Sequence, residues 1–113
     1  MNDALLTAIR TVLSLFVDGS YEVIEAMTRS RRLTAREMRE VLATYGQTLA
    51  MAPDDASWAL DLIAVEGACP AVVVASVDLW TEEGRRSDLT LELRLTDIYD
   101  GAYDIEVLDL HVL

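Results

Sequence analysis

Apolar residues in the first half of the chain recur at helical spacing, and in the second half they alternate. Leu5, Ile9, Val12, Leu13 and Phe16 share one face of a 3.6-residue period, which predicts a helix over residues 4–17. Asn2 or Asp3 can cap its start, and Asp18-Gly19 supplies a left-handed stop. Ser20 can cap a second helix over 21–28, where Tyr21, Ile24 and Met27 or Thr28 share a face. Thr34-Ala35-Arg36-Glu37 fits a capping box, so a third helix starts there, carrying Met38, Val41, Leu42 and Tyr45 on one side and ending before Gly46. Between Gln47 and Ala56 the pattern lapses into a crossover.

Beyond the crossover the period is two. Strands are predicted over 61–66, 71–80, 88–96 and 103–112, with Gly67-Ala68-Cys69-Pro70 a turn. Leu89, Leu91, Leu93 and Leu95 alternate with Asp88, Thr90, Glu92, Arg94 and Thr96, so one face is core and the other wet. In the last strand the apolar phase slips near Val107-Leu108, which a bulge restores. A strand cannot place Leu opposite a solvent-facing charge, and that rule sets the register. It pairs Leu79 with Leu89, Val77 with Leu91 and Ala75 with Leu93, and on the other face Trp80 with Asp88, Asp78 with Thr90 and Val74 with Arg94. A two-residue Asp100-Gly101 turn would set Leu95 against Glu106. A three-residue Tyr99-Asp100-Gly101 loop sets Leu95 against Ile105, Leu93 against Val107 and Arg94 against Glu106.

These elements make an α+β fold: one domain over residues 1–113, with three N-terminal helices covering the Leu face of a four-stranded antiparallel meander. A cystatin-like or ketosteroid-isomerase-like cone has this order of elements. The chain has 20 acidic residues against nine Arg and no Lys, a net charge of −11. Residues 1–50 sum to zero, six acids against six Arg, so the whole excess lies in the sheet half. A nucleic-acid-binding surface is disfavoured because phosphate contacts need a basic patch. The longest charge-free run, residues 41–53, is 13 residues and contains Gly, Gln and Pro, too short and broken to span a bilayer. The start of the chain lacks a basic region followed by a cleavage site, which leads to the expectation of a cytoplasmic protein.

Two segments carry a resemblance: VDLWTEEGRRSDLTLEL at 77–93 and DLHVL at 109–113, with YGQTL at 45–49 a weaker third. They resemble a family of small acidic bacterial proteins known only as a domain of unknown function. The resemblance covers most of the chain and is most specific at the Trp80-Thr81-Glu82-Glu83-Gly84-Arg85 hairpin. This chain departs from it in having Arg85-Arg86 where one Arg is expected. The resemblance implies no activity; small acidic proteins of this kind suggest an immunity or accessory role.

No catalytic set emerges from the residues. Cys69 and His111 are each the only one of their kind, but the strand order puts them at opposite ends of the sheet, beyond the reach of a thiolate–imidazole pair. The register does line up Asp78, Thr90 and His111 across three strands, with Trp80, Asp88 and Asp109 near by. A carboxylate beside an imidazole could orient a general base, yet an open sheet face offers no desolvated pocket. One His with scattered carboxylates does not specify a metal, and no phosphate loop or hydrolase motif occurs, so neither a cofactor nor a metal is expected. Arg29, Arg31 and Arg32 form the one basic cluster, read as balancing the acidic half or touching a partner.

The leading expectation is therefore a non-enzymatic module that binds a basic protein through its acidic half. Trp80 is its anchor, with Asp78, Glu82, Glu83, Asp88 and His111 around it. One alternative is a small-ligand or enzymatic domain with a pocket between sheet and helices, using Tyr45, Tyr103 or Asp61. The other is a homodimer through the face of Val72, Val74 and Trp80.

Overall fold

The computed structural model describes residues 3–28, 33–46, 48–51, 60–82, 86–99 and 102–112. Among them lie three helices, α1 (Asp3–Asp18), α2 (Tyr21–Thr28) and α3 (Ala35–Tyr45), and five strands. The strands are β1 (Leu49–Ala50), β2 (Leu60–Ala64), β3 (Val72–Thr81), β4 (Arg86–Tyr99) and β5 (Ala102–Val112). All pairings are antiparallel. The expected four-stranded meander is thus a five-stranded sheet, because Leu49–Ala50 pairs with Thr81 and Trp80. Both β1 and β2 lie along the same edge of β3, β1 at its end and β2 at its start, and β4 and β5 follow on the other side.

The helices stop and start where their end chemistry dictates. Gly19 (φ 75°) separates α1 from α2, and Gly46 (φ 76°) closes α3 with its amide bonded to the Leu42 carbonyl. Thr34 caps α3 in a full capping box with Glu37. A second acceptor comes from another helix: the Glu25 carboxylate takes the Ala35 amide at 2.8 Å. Arg39 of α3 bonds the Glu22 carboxylate and stands 5.4 Å over the Tyr21 ring, clipping α3 to α2.

The core forms where the two periodicities meet. Leu5, Ile9, Val12, Leu13 and Phe16 of α1, Ile24 of α2 and Met38 and Leu42 of α3 cluster with Ala75, Val77, Leu79, Leu89, Leu91, Leu93 and Leu95 of the sheet. All four leucines of the β4 ladder are fully inaccessible. At about 25 cal/mol per Å² of apolar surface, burial of such side chains is the main force holding helices to sheet.

The register agrees with the pattern over most of its length and departs at the ends. Ala75 pairs with Leu93, Val77 with Leu91, Asp78 with Thr90 and Val74 with Arg94. Beyond Asp78 the ladder slips, and Trp80 faces Arg86 instead of Asp88. In β4–β5, Glu92 pairs with Asp109 and Leu93 with Val107, so Leu108 is the extra residue of the expected bulge. The expected three-residue loop does not form. Tyr99 pairs with Ala102, leaving two residues between the strands, and a bulge at Ile98 restores Leu95 to Ile105. Asp100 and Gly101 themselves lie outside the described residues.

Candidate functional site

The sheet face turned away from the helices is acidic. Its rows can be read straight off the register: Asp61, Ser76, Glu92 and Asp109 make one, and Ile63, Val74, Arg94 and Glu106 the next. Asp78, Thr90 and His111 make a third, and Val72, Thr96 and Asp104 a fourth. Six carboxylates, Asp61, Asp78, Glu92, Asp104, Glu106 and Asp109, thus share a face on which Arg94 is the one Arg whose side chain is described. Arg94 reaches Glu106 at 3.9 Å. Glu92 stands directly opposite Asp109, a like-charge pair that weakens a sheet.

The third row is assembled as expected but is no catalytic dyad. Thr90, nearly inaccessible, donates its hydroxyl to the Asp78 carboxylate at 3.0 Å, and so separates Asp78 from His111. His111 turns to Asp109 instead. Its Nδ1 lies 2.9 Å from Oδ2, close enough for an ion pair when the ring is protonated, but outside the angular range of a hydrogen bond. The other Asp109 oxygen accepts the Leu110 amide at 2.9 Å. Among the described residues no group of three or more His, Cys, Asp and Glu is placed to hold a metal ion. Cys69 is exposed and lies beyond the Val72 end of β3, while His111 sits in the row of Asp78 near the other end.

Trp80 differs from the expectation. It is half-buried, with its indole nitrogen fully covered and without a hydrogen-bond partner among the described residues. Two facts place it so. Ala50 of β1 pairs with it, and the slipped ladder removes it from Asp88. It borders a cavity of about 20 Å³, room for a single water, lined also by Leu13, Val17, Leu49 and Met51. The cavity sits where the edge of β3 passes from β1 to β2, between Trp80 and Val77. Glu82 is exposed; Glu83 and the side chain of Asp88 lie outside the described residues, as do Arg29, Arg31 and Arg32.

The residues expected to line a ligand pocket do not converge. Asp61 is exposed on the outer face of β2, whereas Tyr45 and Tyr103 are half-buried and pack against the core. A larger space opens elsewhere. An open groove of about 490 Å³ runs between α3 and β5, lined by Leu33, Glu37, Glu40, Val41, Thr44, Asp109, Leu110 and His111. Sequence reasoning missed it, since it depends on where α3 stops relative to the last strand. The one available signal was Asp109 and His111 flanking an inward Leu110.

Fold and site together define an α+β protein whose helices cover one face of a five-stranded antiparallel sheet and whose other face is acidic. The chain belongs to the family described as Domain of unknown function (DUF7668), whose model matches residues 13–113. Both segments that carry the resemblance fall within that range. No curated protein and no solved structure matches the chain. No helix among the described residues is long and apolar enough to cross a membrane.

Proposed function

We propose that the chain is a non-enzymatic binding module that takes a basic protein partner on the outer face of its sheet, in the manner of an immunity or accessory protein. One observation carries the reading. Six carboxylates share that face, and one pair of them, Glu92 and Asp109, stands in direct opposition at a cost to the fold that a cationic partner offsets. The half-burial of Trp80 moves the centre of this surface from the hairpin end to the row of Asp61, Glu92 and Asp109. The test is capture from host lysate, followed by titration of the purified partner against wild type and Asp61→Lys/Glu92→Lys. Affinity that falls steeply with salt and by about tenfold or more in the variant supports the reading. A partner that binds the variant as tightly as wild type at every salt concentration overturns it.

The homodimer reading keeps one specific support. Ile63 is 65% exposed, and its neighbours across the ladder, Val74 and then Val72, are only half-buried. Sedimentation at high concentration tests it, and a monomer removes it. The bulges at Ile98 and Leu108 and the slip before Trp80 bend the sheet, which supports a cystatin-like or ketosteroid-isomerase-like cone. Placement in the bacterial cytoplasm belongs to the same proposal and is tested by fractionating the host.

A further inference from the structure

Among the described residues β5 is the last strand of the sheet, paired with β4 on one side, and along residues 109–111 it borders the α3 groove. Leu110 stands opposite Leu91, yet its amide donates to the Asp109 carboxylate at 2.9 Å. That N–H therefore points away from β4. An open stretch of strand edge is a template for another strand, and at Leu110 the described partner of the amide is the neighbouring Asp109 side chain. A carbonyl from a second chain can replace the carboxylate at the amide, freeing Asp109 to pair with a cation.

The two sides of the groove differ in chemistry. Leu33, Val41 and Leu110 make it apolar on the helix side, while Asp109, with Glu92 opposite, makes the sheet side acidic. Glu37 and Glu40 add charge at the rim, and among the described residues no Arg lines it. Glu37 is shared with the α3 cap and Glu40 with Arg36 at 3.2 Å, so Asp109 is the carboxylate most readily given to a ligand. Side chains of a strand alternate between faces, so an added strand would meet apolar surface with one set and carboxylates with the other. A second copy of β5 fits poorly, because it would bring another Asp104, Glu106 and Asp109 to a face that is already acidic.

We propose that the groove receives an extended segment of the basic partner by strand addition to β5. Its apolar residues turn toward Leu33 and Val41, and its alternating Lys or Arg turn toward Asp109 and Glu92. This inference rests on the binding-module reading and adds where, and in what conformation, the partner docks.

The probes are a synthetic peptide of alternating Lys and Val and two versions of it, each N-methylated at every second amide, on one edge or on the other. They are titrated into the full chain with backbone amides followed by NMR. The parent and one methylated version bind and shift the Leu110 amide, while the other version weakens by about tenfold or more. Thr44→Arg, at an exposed position of α3, puts a cation in the groove and weakens the parent similarly with the fold unchanged by circular dichroism. If both methylated versions bind equally and the shifts gather at Asp61 and Glu92 instead, strand addition is overturned while the acidic-face reading stands. If no peptide binds, the groove proposal is overturned, and the acidic-face reading is decided by the Asp61→Lys/Glu92→Lys titration.

Discussion

Across the β3–β4 ladder the Thr90 hydroxyl donates to the Asp78 carboxylate at 3.0 Å, a polar contact of a nearly inaccessible donor on the face opposite the leucine core. A hydrogen bond to a charged group is worth about 1.5–3 kcal/mol, and a half-buried carboxylate that loses it keeps much of its desolvation cost. Thr90→Val, which preserves shape, should therefore destabilise the protein by about 1–2 kcal/mol. Thr90→Ser, which retains the hydroxyl, should recover most of that loss in urea unfolding. Equal midpoints for Val and wild type would show that the contact adds nothing.

The start of α3 depends on a residue ten positions upstream. Glu25 of α2 accepts the Ala35 amide at 2.8 Å, one of the free donors of a helix N-terminus, and its charge lies at the positive end of the helix dipole. Glu25→Ala should cost about 1 kcal/mol and fray the first turn of α3, whereas Glu25→Gln, which keeps an acceptor, should cost less. Amide exchange at Ala35 and Arg36 reads the fraying directly. No change in exchange for the Ala variant would mean that Thr34 alone suffices as the cap.

Arg39 makes the junction of α2 and α3 respond to pH at both ends of the range. Its hydrogen bond holds the Glu22 carboxyl below its ordinary value of 4.5, so the contact favours the folded state above that value and is lost as pH falls through the lowered one. Burial raises the Tyr21 phenol above 10.0 against the opposing charge of Arg39, so the folded state loses stability as pH rises past 10. In Arg39→Met the acid contribution shrinks to what the backbone hydrogen bond of Glu22 supplies, and the phenol rises further. The melting temperature of wild type should fall more than that of the variant between about pH 6 and about pH 3, and less than the variant above about pH 10. Parallel curves would exclude the linkage.

The sheet core and the helix exteriors should respond very unequally to truncation. Leu93 is fully inaccessible in the central strand β4, and Leu93→Ala should cost about 2–5 kcal/mol through lost burial and the cavity left behind. Val23 on α2 is 52% exposed, and Val23→Ala should change stability by about 0.5 kcal/mol or less. Similar losses for both would mean that Val23 is covered by something in solution, a partner or a second copy.

The legible parts of the fold are those with strong local chemistry. Both bounds of α3 follow from Thr34, Glu37 and Gly46, and the middle of the β3–β4–β5 register follows from the period of two around Leu89 to Leu95. β1 was not legible, because two residues cannot display an alternation and its partner, Trp80–Thr81, lies thirty positions on. The Ile98 bulge was hidden for a different reason. A two-residue connection plus a bulge and a three-residue loop without one give the same pairing of Leu95 with Ile105, so sequence pattern cannot separate them. For the site, the acidity of the outer face could be read from alternation. The cover over Trp80 and the α3–β5 groove could not, since both depend on how distant elements meet.

The bulge at Leu108 gives the most direct test of the register argument. Val107 and Leu110 both face the helices, opposite Leu93 and Leu91, and the half-buried Leu108 is the one residue between them that alternation cannot place. Deleting Leu108 leaves Val107 inward, Asp109 outward and Leu110 inward, in phase with β4 throughout. Deleting Thr90 from β4 does the reverse. It forces Leu89 or Leu91 to the wet face, exposing a side chain that is now fully buried, in a stretch whose pairing with β5 has no bulge to absorb the change and whose slip against β3 begins only beyond Asp78. The Leu108 deletion should therefore fold cooperatively with a loss of about 2 kcal/mol or less, and the Thr90 deletion should fail to give a cooperative transition. Thermal unfolding of the two side by side decides it. If the Leu108 deletion were the one that unfolds, the bulge itself, through the twist it gives the end of β5, would be what the fold requires.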